Sequence, residues 1–204
     1  MRCDRDRSAR ALLAAVASRF VGVRAGVDVG FADASFSSAL RAAHAGVWMT
    51  VETDARMREV TAGALDPKTV LCLGTGGEMP FEDRQFEVVV LSASLFEGHR
   101  ERLNFLVRET HRILQGGGCL FFTVSEASSS AAGWTQRAIY ELLRDGFDVV
   151  GLKRPAWWRF GMSGRTMTVC ARRKNWRNRG TLMVMGREMA VSAAMLSPRE
   201  RQRI

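Results

Sequence analysis

The chain has 204 residues, 47% of them apolar and 25% charged, with a formal net charge of +9. That length suits one domain of ordinary size with a real core, and the balance excludes a disordered or fibrous chain. No apolar run approaches the ~18–20 residues that cross a bilayer, so no transmembrane segment is expected. The charge is local: of 30 Lys and Arg, ten lie within residues 149–187, which hold no acid, and the remaining 20 face 21 acids. Cys3, Cys72, Cys119 and Cys170 form no CxxC pair, and three of them sit in apolar strand-like runs. They read as free thiols of a reducing, cytoplasmic setting, with neither a disulfide frame nor a metal site.

In chain order, the basic N-terminus is tempered by Asp4 and Asp6, and Leu12, Leu13, Val16 and Phe20 recur at helical spacing. An ordinary first helix over residues 7–20 is preferred to a targeting peptide. GVDVGF (26–31) reads as a buried strand, SSALRAAHAG (37–46) as a helix ended by glycine, and VWMTVE (47–52) as a second strand. Asp54 predicts the N-cap of a helix over 54–65, with Pro67 beyond its end. TVLCLG (69–74) and FEVVVLSASL (86–95) follow as strands, the latter apolar enough for burial on both faces. Residues 100–114 carry a helical apolar stripe that the glycine run 116–118 stops, and CLFFTVS (119–125) is a fifth strand. A helix over 132–146 leads to two last strands, 147–154 and 165–173, with no helix between them. Strands alternating with helices of ~10–15 residues predict an α/β domain with a mostly parallel sheet, the last pair being antiparallel. In such a sheet, ligands sit beyond the C-terminal ends of the strands.

Four stretches resemble class I S-adenosylmethionine (SAM)-dependent methyltransferases, of the small-molecule, ubiquinone/menaquinone type. VDVGFADASFS is similar to the family's glycine-rich first motif, but alanine stands at positions 32 and 34, where glycine is usual. Glycine is wanted there for close backbone approach and for freedom of φ. VETDARM supplies Glu52, 22 residues after Gly30 and suited to accept from ribose hydroxyls, followed by Thr53 and Met57. GGEMPFEDRQFEVVVLSASL resembles the family's run from an "LPF" turn into the fourth strand, with Thr75 where an adenine-binding acid is usual. RETHRILQGGGCLFF matches the run that ends a helix and begins strand five, through Glu109, Arg112, Leu114, Gly117 and Gly118.

The resemblance implies a Rossmann-like seven-stranded sheet, mostly parallel with an antiparallel last strand and helices on both faces. The methyltransferase-like domain is expected over residues 1–176, with a basic extension over 177–204. It further implies SAM as cofactor and a small-molecule methyl acceptor. Asp28, Gly30, Ala32 and Ala34 would face the methionine part, and Glu52 and Thr53 the ribose. Thr75, Gly76, Gly77, Glu78 and Met79 would face the adenine, and Ser92, Ala93 and Ser94 the transferred methyl. Methyl transfer asks mainly for alignment of donor and nucleophile, so no catalytic residue is required by the family. His99 is a candidate general base, set against the plainer reading of a solvated histidine at a helix start. His44 and His111 read as surface or core-edge residues.

Two alternatives stand beside the enzyme. A fold match is not an activity, and Ala32, Ala34 and Thr75 fit a methyltransferase-like module that has lost catalysis. The segment 153–180 interleaves Lys and Arg with Trp157, Trp158, Phe160 and Trp176. It suits RNA, as in an RNA methyltransferase, or another anionic partner, and equally a solvated face.

Overall fold

The elements follow one another as β1 (Ala25–Val29), α1 (Ala34–Ala43), β2 (Val47–Glu52), α2 (Ala55–Ala62), β3 (Val70–Cys72), β4 (Phe86–Leu91), α3 (Arg100–Ile113), β5 (Leu114–Ser125), α4 (Gln136–Leu143), β6 (Phe147–Lys153) and β7 (Thr166–Arg173). The computed structural model describes residues 13–16, 22–31, 34–74, 77–96, 100–126, 133–153 and 166–174. The chain divides after Arg173 into two units, and the first, Met1–Arg173, carries every element named here. The boundary expected at 176/177 and the extension after it lie outside the described residues, as does most of the helix expected over 7–20, of which 13–16 are helical.

Seven strands form one sheet in the order β3-β2-β1-β4-β5-β7-β6. Pairing is parallel from β3 through β5 and antiparallel at β5–β7 and β6–β7. The final pair is antiparallel as expected, but β7 inserts between β5 and β6, leaving β6 at the edge. Side chains alternate between two cores. Val27, Val29, Val51, Val89 and Leu91 pack with Leu103, Leu106 and Val107 of α3 and Ile139 and Leu143 of α4. Trp48, Val88, Val90 and Phe121 pack with Phe36 and Leu40 of α1. Helices therefore cover both faces, which explains the unbroken apolar run of β4.

Local chemistry sets the element ends. Asp54 caps α2, its carboxylate accepting the Met57 N–H at 2.9 Å. α4 begins later than residue 132, because Thr135 caps it, accepting from the Ala138 N–H at 3.1 Å. β4 stops at Leu91 instead of running to 95. Ser92 N–H still bonds the Val29 carbonyl at 3.0 Å, and the chain then turns through a 3₁₀ segment, Ala93–Phe96. The glycine run was expected to separate α3 from β5, yet β5 starts at Leu114. Its register against β4 jumps from Phe86↔Leu114 to Val88↔Cys119, so the glycines form a bulge inside the strand. Gly117 there has φ 81°, and a Cβ on Gly118 would come within 2.9 Å of the Glu87 carbonyl.

One clamp joins two of the sequence motifs. On α3, Arg112 donates to the Met79 carbonyl (3.1 Å), the Phe81 carbonyl (2.7 Å) and Asp83 Oδ1 (3.1 Å). It also forks onto Glu109, at 2.9 Å to Oε1 and 2.8 Å to Oε2. Glu109 Oε2 in turn accepts the Met79 N–H at 3.0 Å. The E-x-x-R of the helix thus holds the MPFED turn that feeds β4. These are charge-assisted bonds to the backbone of the turn, whose Met79 carbonyl also accepts from the Phe81 N–H at 2.8 Å. Arg112→Ala is expected to lower unfolding free energy by roughly 3 kcal/mol in chemical denaturation. A loss below about 1 kcal/mol would show that the clamp is dispensable.

Candidate functional site

The strand order reverses at β1/β4, where the chain winds outward in both directions and leaves a crevice. The register sets what lines it. Val29 pairs with Val51 and with Leu91, and Glu52 with Cys72. Gly30, Glu52–Thr53, Leu73 and Ser92–Leu95 therefore leave their strands at one level. A cavity of about 250 Å³ opens there, lined by Thr53, Leu73, Gly77, Ser94, Leu95, Leu103 and Leu106.

Of the residues expected to hold a cofactor, Thr53, Gly77 and Ser94 line this cavity. Gly30 adjoins it. It has φ 73°, its N–H bonds the Val51 carbonyl at 2.8 Å, and a Cβ there would meet Leu95 and Thr53, both lining residues, at 3.0–3.2 Å. Gly77 has φ 89° and closes a tight turn, its N–H bonding the Gly74 carbonyl at 2.8 Å, while Gly74 N–H bonds the Glu78 carbonyl at 2.9 Å. Both positions need glycine's conformational freedom. Glu78 is exposed, Ala34, Ser92 and Ala93 are half-buried, and none of them lines the cavity. Ser92 is tied to Ser94, hydroxyl to hydroxyl, at 3.0 Å. Ala32, Thr75, Gly76 and His99 lie outside the described residues, as does most of the basic segment 153–180.

Three expected ligand residues are buried instead of lining the cavity. Met79 is 2% exposed and packs in the core, with its N–H held by Glu109. Glu52 is 0% exposed, and its Oε1 accepts from the Thr61 hydroxyl at 2.8 Å. Asp28, also 0% exposed, points to the α1 side of the sheet. Its Oδ2 accepts from the Ser37 hydroxyl at 2.6 Å and its Oδ1 from the Thr50 hydroxyl at 3.2 Å. Arg41 completes the network, donating to Thr50 Oγ1 (3.2 Å), the Trp48 carbonyl (2.9 Å) and Thr69 Oγ1 (3.0 Å). One arginine thereby ties α1 to β2 and to the entry of β3. The Phe31 and Phe36 rings stack at 3.8 Å, joining the end of β1 to α1.

Burial pushes the Asp28 carboxyl up from its ordinary 3.8 to about 7, against the lowering by Ser37, Arg41 and Thr50. His44, 6% exposed, is held below its ordinary value by burial beside Trp48. His111 is also lowered, by burial and then by Arg173 and Arg84. Neither histidine lines the cavity.

The sequence reading missed Leu73, Leu103 and Leu106 as lining residues and the Ser37–Thr50–Arg41 support. The leucines carried a signal, the apolar stripe of α3, but one that reads as core. Ser37 and Arg41 are one helical turn apart on α1, a spacing that alone names no partner.

Residues 27–122 match a family model described as a methyltransferase domain. Over these residues the chain is similar to a methyltransferase domain. The match spans β1 to the middle of β5, so it includes the crevice and the residues lining the cavity. No curated protein matches the chain in sequence. Solved structures share the fold at low identity. The Haloferax volcanii protein in complex with the Trm112 methyltransferase activator is 17% identical, with a TM-score of 0.67, over 86% of this chain and 92% of that one. Burkholderia thailandensis 1,6-didemethyltoxoflavin-N1-methyltransferase, solved with S-adenosylhomocysteine, is 16% identical with a TM-score of 0.65, over 82% and 79%. The [4+2]-cyclase SpnF is 17% identical with a TM-score of 0.64, over 80% of each chain. One fold thus carries more than one chemistry.

The raised carboxyl of Asp28 has a consequence for stability. A group whose pKa is higher in the folded than in the unfolded chain stabilises the fold at low pH and loses that contribution as pH rises through the folded value. For Asp28 the loss runs from about pH 4 to about pH 7. Asp28→Asn should therefore gain stability relative to the native chain by about 1–3 kcal/mol between pH 5 and pH 8, measured by denaturant titration. A difference that stays flat with pH would contradict the buried, uphill carboxyl.

Proposed function

We propose that the chain is a SAM-dependent methyltransferase acting on a small-molecule acceptor. The observation that supports it is the cavity at the C-terminal ends of β1–β4, where the winding of an α/β sheet places a ligand. Its walls suit a flat, weakly polar ring: Leu73, Leu103 and Leu106 shed water, and Thr53 and Ser94 bring hydroxyls. The 74–78 turn would offer backbone groups to the ring edge, and the end of β2 would serve the sugar. Glu52 contributes there as a buried acid whose place is fixed by Thr61. When bound, SAM supplies the methyl group on its sulfonium. The chain would hold and orient the donor and keep water from it, a role of alignment that needs no dedicated base. The Burkholderia enzyme, solved with 1,6-didemethyltoxoflavin and S-adenosylhomocysteine bound, is consistent with this assignment.

The fit is partial. At about 250 Å³ the cavity falls below the ~300–1,000 Å³ of ordinary small-molecule sites. The space beside Gly30 is occupied by Leu95 and Thr53. These features support a second reading, a module that keeps the fold and binds without transferring a methyl group. Calorimetric titration with S-adenosylhomocysteine separates the two. The enzyme reading expects saturable binding with a micromolar dissociation constant, tightened severalfold by Ala32→Gly and by Thr75→Asp. Absence of both heat and thermal shift at millimolar ligand would leave the binding module.

A further inference from the structure

At the end of the sheet opposite the crevice, three basic side chains from three elements come together. Arg84 stands in the turn that enters β4, and its N–H bonds the Arg112 carbonyl at 2.9 Å, one residue along α3 from His111. The His111 ring meets Phe147 edge-on with centroids 5.6 Å apart, and Phe147 pairs with Arg173 between β6 and β7. Thr166 pairs with Ser125 at the crevice end of β5, and Arg172 with Cys119 at the other end. The eight residues of β7 therefore carry the chain about 24 Å away from the crevice before it reaches Arg173. Burial holds the His111 ring below its ordinary value, and Arg173 and Arg84 add to that lowering. Arg173 is likewise lowered, by burial and then by Arg84.

Three features of this cluster are not explained by the fold. Arg84 has φ 58° and is, among the described residues, the only non-glycine residue with a positive φ. A side chain is strained there, and such strain collects at ligand sites. His111 Nε2 and Arg173 Nε are buried with no hydrogen-bond partner among the described residues. Polar atoms left alone in this way call for a water or an ion. The charge is also unbalanced: the acid facing the cluster, Asp83, is 72% exposed and accepts from Arg112 at 3.1 Å. The carbonyl end of α3 favours a cation beside it, and Arg112, in its last turn, already supplies one.

We propose that Arg84, His111 and Arg173 make a binding site for a phosphate group, borne by a small molecule or by a nucleic-acid strand. Arg84 is exposed and brings a fork of donors that matches phosphate oxygens. Arg173 adds a second guanidinium, half-buried and so less screened by water. His111 takes up a proton from solvent as the anion binds, because a negative charge favours the imidazolium that two arginines disfavour. The site is separated from the crevice by the height of the sheet, so its ligand does not compete with a methyl donor.

The test is calorimetric titration of the full chain with inorganic phosphate against sodium chloride of equal ionic strength, with the histidine rings followed by NMR. Phosphate should bind saturably and raise the titration midpoint of His111, while His44, buried beside Trp48, stays unmoved. Arg84→Gly should weaken phosphate about tenfold. It should leave the fold intact, because glycine takes φ 58° without strain. Arg173→Gln should weaken phosphate by a similar factor. The site is overturned if chloride moves His111 as far as phosphate does, or if Arg84→Gly binds phosphate as tightly as the native chain. A single-stranded RNA oligonucleotide then separates the two sources. Displacement of phosphate by RNA makes the site a strand contact, and RNA that leaves phosphate in place makes it a site for a small phosphate-bearing molecule.

Discussion

The site depends on the parallel pairing of β1 with β2 on one side and β4 on the other. The chain winds outward from β1 through β2 to β3 on one side and from β4 to β5 on the other. A crevice at that point follows from topology and needs no particular side chain. Everything else in the domain fixes the level at which the loops leave the strands. Gly30, Thr53, Leu73 and Ser92 emerge together because Val29, Val51 and Leu91 are in register and Glu52 pairs with Cys72. A slip of one residue in β1 would turn Asp28 toward the α3 core and Val27 and Val29 toward the polar network under α1.

That network is the less usual support. An acid with no exposed surface, held by two hydroxyls and an arginine one layer away, is expensive to keep charged. Its geometry nonetheless fixes how α1 meets the sheet. Ser37 and Arg41 come from α1, Thr50 and the Trp48 carbonyl from β2, Thr69 from the entry of β3, and Asp28 from β1. The Phe31–Phe36 stack adds a second tie between the end of β1 and α1. Asp28 is thereby a group that positions α1 on the sheet. Its two oxygens are already committed to hydroxyls of the chain.

How much of this could be read in the sequence depended on whether a feature is local or made by packing. The N-cap at Asp54 and the apolar strands were legible because their causes lie within a few residues. The fold was legible from the MPFED and RETHR runs, and the structure gives the reason: Arg112 and Glu109 bond that turn directly, so the two runs belong to one device. The roles of Leu95 and Arg41 were not legible. A leucine after an apolar strand reads as more strand until the chain is seen to turn at Ser92. The glycine run misled in a similar way, since glycines that end a helix and glycines that bulge a strand look alike until the partner strand supplies the register.

The departures from the family pattern fall at both ends of the site. Ala32 and Ala34 depart between β1 and the start of α1, and Thr75 departs where the family pattern has an acid after β3. The end between Leu73, Gly77 and α3 still keeps both its glycine turn and its apolar walls. The crevice outlasts these changes because the pairing of β1 with β2 and β4 makes it, and none of the three positions takes part in that pairing.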